Sequence, residues 1–192
     1  MIDPDHQNSD TDLVERVLAG EVDAFTRIVQ RWQGPIVDLA YRFCRERGLA
    51  EEIAQDAFLK AFRSLDRWRR EARFSTWLFA ITVNVARSRL RRWRPDWTSL
   101  DKAQELADPV RPDEVYEAAD EAERVRRAVV ALPTKYREAI VLYYFHDMDV
   151  ADAAATLGIP IGTLKARLHR GREKLRQQFG NADVWSVSVG VV

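Results

Sequence analysis

Apolar residues recur along this chain at spacings of three and four, the period of helices that bury one face. Leu13, Val14, Val17 and Leu18 predict a short first helix. Phe25, Ile28, Val29 and Trp32 predict a second that runs up to Gly34–Pro35, a pair that ordinarily stops a helix. Ile36, Leu39, Ala40 and Phe43 carry a third until Gly48, and Ile53, Ala57, Leu59 and Phe62 form the apolar side of a fourth over residues 50–65. Residues 66–74 (DRWRREARF) break the period and read as an exposed loop. Ser75 or Thr76 then suits the N-cap of a helix that ends before Pro95. Residues 95–116 contain Pro95, Pro109 and Pro112 with little apolar periodicity, the mark of a domain boundary. Helical periodicity resumes over 117–131, 134–146, 149–157 and 160–179. Alternation of the strand type occurs only at the end, where Val187, Val189 and Val191 interleave with Ser186, Ser188 and Gly190.

The expected fold is therefore all-α. Two small helical domains, residues 20–94 and 117–179, are joined by a flexible acidic linker, 95–116. An acidic segment, 1–19, precedes them, and a tail of unassigned role, 180–192, follows; that tail reads either as an edge strand for a partner or as a loose end.

Composition narrows the function classes. Of 192 residues, 46% are hydrophobic and 31% charged, as in a soluble globular chain. No apolar run approaches the roughly 20 residues that cross a bilayer. The acidic N-terminus (Asp3, Asp5, Asp10, Asp12) lacks the basic start of a secretory signal, so a cytoplasmic location is expected. A single cysteine, Cys44, excludes an internal disulfide and reads as plain core rather than a redox switch. His6, His146 and His169 are too scattered for a zinc site, so no metal is expected. GxxxxGK[ST], GxGxxG, HExxH and GxSxG are all absent. Neither an enzyme nor a cofactor is expected.

The formal charge is zero, 30 basic against 30 acidic residues, yet the signs are segregated. Residues 1–25 hold seven acids and one base; residues 63–94 hold ten arginines against Asp66 and Glu71. Residues 95–123 reverse to ten acids against Lys102 and Arg111, and residues 160–178 hold six Lys/Arg against Glu173. Two basic blocks with an acidic one between them suggest two surfaces for a polyanion, although solvated helix faces would give the same count.

The C-terminal block, DVADAAATLGIPIGTLKARLHRG (149–171), has the helix-turn-helix pattern: Ala154 where two helices cross, Gly158 at the turn, Pro160 at the start of the second helix. Lys165, His169, Arg172 and Arg176 form one stripe on that helix, flanked by Arg167 and Arg170. In the N-terminal block, Phe74, Leu78, Ile81 and Val85 share an apolar face of helix 76–94. Trp77, Asn84, Arg87 and Arg91 share another, suited to stacking a base and holding its phosphates. The plainer alternative folds Trp77 under a neighbouring helix as core. The preceding loop adds Trp68, Arg69, Arg70 and Arg73, which suit single-stranded DNA and would equally suit a solvated loop.

Four segments together resemble one family. AEEIAQDAFLKAF (50–62), FSTWLFAITVNVARSRLRR (74–92), LPTKYREAIVLYYF (132–145) and GIPIGTLKARLHRGREKL (158–175) look, in order, like regions 2.2, 2.3–2.4, 4.1 and 4.2 of extracytoplasmic function (ECF) sigma factors. The resemblance covers residues 20–94 and 117–179. It implies a subunit that binds core RNA polymerase, through its clamp helices and flap region, directs it to promoter DNA and helps open the duplex. By position, Gln55, Asp56, Phe58 and Leu59 would dock on the clamp helices. Trp68, Arg70, Arg73, Trp77, Asn84, Arg87 and Arg91 would take the −10 element, with Asn84 at an extruded base. Thr163, Lys165, Ala166, Arg167, His169 and Arg170 would read the −35 element; Ala166 stands where many members carry a serine. Elements about 17 base pairs apart are separated by ~58 Å at ~3.4 Å per step, and a 22-residue tether extends to about 70 Å. The family also implies an anti-sigma factor as regulator, which could hold the chain at the inner face of a membrane.

The competing reading is a stand-alone helix-turn-helix regulator, which leaves residues 20–94 without a role. An anti-sigma factor would ordinarily show a His/Cys zinc motif or a membrane helix, and a nucleic-acid enzyme a cluster of metal-binding acids; neither pattern is present in the sequence.

Overall fold

The computed structural model describes residues 4–93 and 121–179, and every regular element among them is helical. The expected acidic linker and the tail lie outside the described residues. Helices α1 (Pro4–Leu18), α2 (Ala24–Cys44), α3 (Arg47–Arg63) and α4 (Phe74–Trp93) belong to one compact unit, with a 3₁₀ turn at Leu65–Arg67. Helices α5 (Glu121–Ala131), α6 (Thr134–Ile140) and α8 (Ile161–Phe179), with α7 (Val150–Leu157) up to Ala154, build a second. The helix expected over 134–146 is α-helical only to Ile140 and then widens into a π-helical turn, Val141–Phe145.

The acid-rich N-terminal segment, expected to precede the bundle, supplies its first helix. Leu13 and Val14 are buried, and so is Asp10, at 2% exposure. A buried carboxylate demands partners. Asp10 accepts from the Arg31 guanidinium and from Trp32 Nε1 at 3.2 Å, both on α2.

The break expected at Gly34–Pro35 does not occur, and α2 runs through Pro35 as one helix. An internal proline costs about 3 kcal/mol through the lost hydrogen bond and the ring's clash. Against that, Ala24, Ile28, Trp32, Ile36, Leu39, Ala40 and Phe43 form one unbroken buried stripe on both sides of it. At about 1.5–3 kcal/mol for each large side chain, keeping the stripe in register outweighs the proline. The helix ends instead at Arg45, in the left-handed region with φ 63° and its N–H on Tyr41 O. Gly48, read as a stop, lies in the first turn of α3. The Glu46 carboxylate caps that turn, accepting from Gly48 N at 2.7 Å and Leu49 N at 2.6 Å. A Cβ on residue 48 would meet Glu46 Oε1 at 3.0 Å, so glycine leaves room for the cap.

The apolar residues read on α3 divide. Ala50, Ile53, Ala54, Ala57, Phe58 and Ala61 are buried, whereas Leu59 and Phe62 are 53% and 38% exposed. Four of the six buried positions are alanine, whose small side chains let a neighbouring helix approach closely. The core face of α4 is also broader than expected. Phe74, Leu78, Phe79, Val83, Val85, Ala86 and Leu90 are buried, while Ile81 is only partly so. Helices α1, α2 and α3 all pack on α4, so no single stripe describes it. It starts at Phe74, which places Ser75 and Thr76 in the first turn rather than at the cap.

In the second unit the helix-turn-helix forms as the pattern indicates. Gly158 adopts φ 66°, a conformation that costs other residues about 1 kcal/mol or more. Its N–H bonds Ala155 O at 3.1 Å, and Ile159 N bonds Ala154 O at 3.1 Å, closing the end of α7. Leu164, Leu168 and Leu175 seat α8. Gly171 lies directly on α6: a Cβ there would stand 3.0 Å from Ile140 Cγ1 and 3.5 Å from Tyr136 Cβ.

Removing the carboxylate in Asp10→Ala strands Trp32 Nε1 in the interior and leaves Arg31 to seek water. The expected loss is about 2 kcal/mol of unfolding free energy, read as a lowered midpoint in urea denaturation. An unchanged midpoint would show that α1 is not anchored this way.

Candidate functional site

One side of α4 gathers the residues that the sequence singled out. Asn84 and Arg91 are exposed, Trp77 and Arg87 half-buried, and their spacing puts all four on one face. The Trp77 ring leans on Phe74 with centroids 5.6 Å apart and planes tilted by 43°. Supported by Phe74 and half-buried, it is intermediate between the core and surface alternatives.

The loop before α4 is built rather than open. Trp68 is buried at 9% exposure, its Nε1 donating to Ala72 O at 3.1 Å and its ring edge-on to Phe74 at 5.3 Å. Trp68 thus serves as a strut beneath the loop and does not offer its face to a base. Arg70 takes the left-handed region, φ 62°, and its Nη2 meets Glu15 of α1 at 2.9 Å. A strained backbone persists where surrounding contacts over-determine it, and here a closed indole bond and an ion pair do so. Arg69 and Arg73 remain on the exposed rim.

The polymerase-docking expectations divide three ways. Gln55 and Leu59 lie exposed on α3. Phe58 is core, 8% exposed. Asp56 is occupied from within the unit, accepting from Arg89 Nε at 2.8 Å. Phe62, which was not among the expected docking residues, joins Leu59 at the surface and packs edge-on against Phe25, centroids 5.1 Å apart. The signal that could have found it is the spacing 55, 59, 62, one helical face that alternates with the alanine face.

On α8 the front of the helix is open: Thr163, Lys165, Ala166, His169 and Arg170 are all exposed. His169 Nδ1 stands 3.6 Å from Glu173 Oε2, an exposed i,i+4 pair. Arg167 departs from the expected set. It is turned toward α6, 4.0 Å from the buried Glu138 carboxylate, which needs a cation beside it. It holds the helix in place while its neighbours face outward.

Each of the two units thus presents a helix with exposed cations, Arg91 on α4 and Lys165 and Arg170 on α8. A family model described as Sigma-70 region 2 matches residues 28–94, and one described as Sigma-70, region 4 matches residues 122–175. The ECF RNA polymerase sigma factor SigW of Bacillus subtilis (strain 168) is 35% identical over 177 residues, covering 86% of this chain and 94% of that protein. This chain belongs to the ECF sigma factors. It is an alternative sigma factor, a subunit that binds core RNA polymerase and promoters. The RNA polymerase sigma-H factor of Pseudomonas aeruginosa is 33% identical over 181 residues, covering 88% of this chain and 93% of that one. Among solved structures, CnrH in complex with the cytosolic domain of CnrY is similar with a TM-score of 0.65 and 27% identity, covering 89% of this chain and 96% of that one. The region 2 match accounts for residues that a stand-alone helix-turn-helix regulator would leave idle. No helix among the described residues is long and apolar enough to cross a membrane.

Trp68 and Asn84 should therefore separate on stability. Trp68→Ala is expected to cost the first unit about 3–5 kcal/mol, whereas exposed Asn84→Ala stays within about 0.5 kcal/mol. Thermal unfolding followed by circular dichroism measures both; equal melting points would refute the strut assignment.

Proposed function

We propose that this sigma factor docks on polymerase through the exposed side of α3, takes the −10 element on α4 and reads the −35 element with the front of α8. The observation that carries the reading is the division of α4: a broad buried side fixes the helix, and Trp77, Asn84 and Arg91 stand together on the other. Docking falls to Gln55, Leu59 and Phe62, a polar rim beside two apolar side chains. Flipping a base out of its stack costs a few kcal/mol, and stacking against an aromatic ring returns about 1–3 kcal/mol per base. Trp77 supplies the ring, Asn84 hydrogen bonds, and Arg87 and Arg91 the charge for the flanking phosphates. Arg69, Arg70 and Arg73 line the approach, with Arg70 exchanging Glu15 for phosphate. On α8, Lys165, Ala166, His169 and Arg170 meet base edges and Thr163 the backbone. The chain works by binding and not by catalysis, in the cytoplasm beside its polymerase. Its regulator is an anti-sigma factor; attachment to the membrane face would come from that regulator.

The test is co-elution with core polymerase followed by run-off transcription on fragmented genomic DNA, with Leu59→Asp as the docking control. Complex formation with discrete transcripts, both lost in the control, supports the reading; salt-sensitive duplex binding without core binding refutes it. Asn84→Ala should keep core binding and lose −10 recognition and opening, seen as an altered promoter profile. Lys165→Ala should weaken −35 use by about 1–3 kcal/mol if it meets a base, and a uniform loss across promoters would move it to phosphate.

A further inference from the structure

Arg89 stands apart from the other arginines of α4. At about 100° per residue it lies about 140° round the helix from Asn84, away from the face that carries Trp77, Arg87 and Arg91. Its guanidinium reaches α3 instead. Nε and Nη2 donate to Asp56 Oδ2 at 2.8 and 2.5 Å, and Nη1 donates to Glu52 Oε2 at 2.9 Å. The two carboxylates, through the hydrogen bond to Asp56 first, raise the Arg89 pKa, so the side chain holds its charge. Glu52 and Asp56 flank Gln55 and lie within a turn or two of Leu59. A single side chain therefore ties the helix that meets polymerase to the helix that meets DNA.

Packing supplies part of that relationship through the buried Ile53 and Phe58. The other buried positions of α3 are Ala50, Ala54, Ala57 and Ala61, side chains that add little relief against a turning or sliding neighbour. As a stabiliser, a half-exposed ion pair contributes little. As a positioning device it is stronger, because the planar guanidinium fork bonds two carboxylates in fixed directions that an ammonium would not impose. A site that must place Asn84 beside an extruded base needs its supporting shell held to within about 0.5 Å.

We infer that Arg89 is a positioning residue. Gripped by Asp56 and Glu52, it sets the DNA side of α4 in register with the docking side of α3, and Asp56 serves promoter opening through Arg89 rather than by touching polymerase. The inference rests on the reading given under Proposed function.

The experiment uses holoenzyme assembled from the full chain and compares Arg89→Ala, Asp56→Ala, their double variant, Arg89→Lys and the charge swap Asp56→Arg with Arg89→Asp. Three quantities are read: core affinity, open-complex formation on a closed duplex promoter, and the same on a promoter already melted across its −10 element. Each alanine variant is expected to lower opening of the duplex about threefold to fivefold, and the double variant no further. On the pre-melted promoter the loss should vanish, core affinity should hold to within about twofold, and the charge swap should recover most of the opening. Arg89→Lys keeps the charge and stem without the fork; it should show the same loss, and it replaces Arg89→Ala should that variant melt below the assay temperature. A drop in core affinity with Asp56→Ala that Arg89→Ala does not share would make Asp56 a polymerase contact and overturn the inference. Losses that multiply in the double variant would overturn it as well. A wild-type chain that fails to bind core would instead sink the sigma reading, on a separate readout.

Discussion

Trp32 is where three helices of the first unit meet. Its indole N–H donates to the buried Asp10 carboxylate of α1, while its ring lies edge-on to Phe79 of α4, centroids 6.0 Å apart. The contact with α4 buries a large aromatic surface, and the contact with α1 satisfies a charge that could not otherwise enter the interior. Arg31, one residue earlier on α2, completes the neutralisation. Two adjacent residues of α2 thus recruit the N-terminal helix electrostatically, and Trp32 grips α4 as well. The functional face of α4 is open because the rest of that helix is held in this way: Phe79, Val83, Ala86 and Leu90 turn inward, and Asn84 and Arg91 are left outside.

Much of this was legible in the sequence, and the failures have definite causes. The helix-turn-helix could be read because its parts act locally: Gly158 supplies a positive φ, Pro160 precedes the second helix, and leucines at helical spacing mark its buried side. The polar face of α4 could be read because tryptophan, asparagine and arginine at one angular position have no reason to gather on a core helix. Proline was misread in α2 because its penalty is local whereas the burial that overrides it is spread over the whole helix. On α3, helical spacing grouped Leu59 and Phe62 with the buried Ile53 and Ala57, and only the packed helices separate them. Trp68 was assigned to DNA because the arginines around it are; only the Ala72 carbonyl and Phe74, folded back on it, reveal the strut.

Charge counts mislead in a related way. The basic block of α4 and its loop suggests a polyanion surface far broader than the structure presents. Arg70 is turned to Glu15, Arg89 to Glu52 and Asp56, and on α8 Arg167 to Glu138. Segregated charge along a chain says that acids and bases are apart in sequence; folding brings several of them together. The cations left facing outward are fewer, and their positions matter more than their number.

This economy bears on how a small sigma factor gains specificity. One helix face offers a few side chains to bases, and each good base contact discriminates by only about 1–3 kcal/mol. Neither α4 nor α8 alone presents enough of them to select one site in a genome, where 10⁶ or more competing sites are typical. Two faces on one chain change the arithmetic, since binding at one element converts the second into an intramolecular event. The gain depends on each face being rigid when it arrives, because ordering side chains at the interface consumes about 0.5–1.5 kcal/mol apiece. On the proposed reading, the internal ion pairs of Arg89 and Arg167 are thus not arginines subtracted from DNA binding. They would hold α4 and α8 in the form DNA meets, so that the few outward residues spend little of their interaction on being put in place.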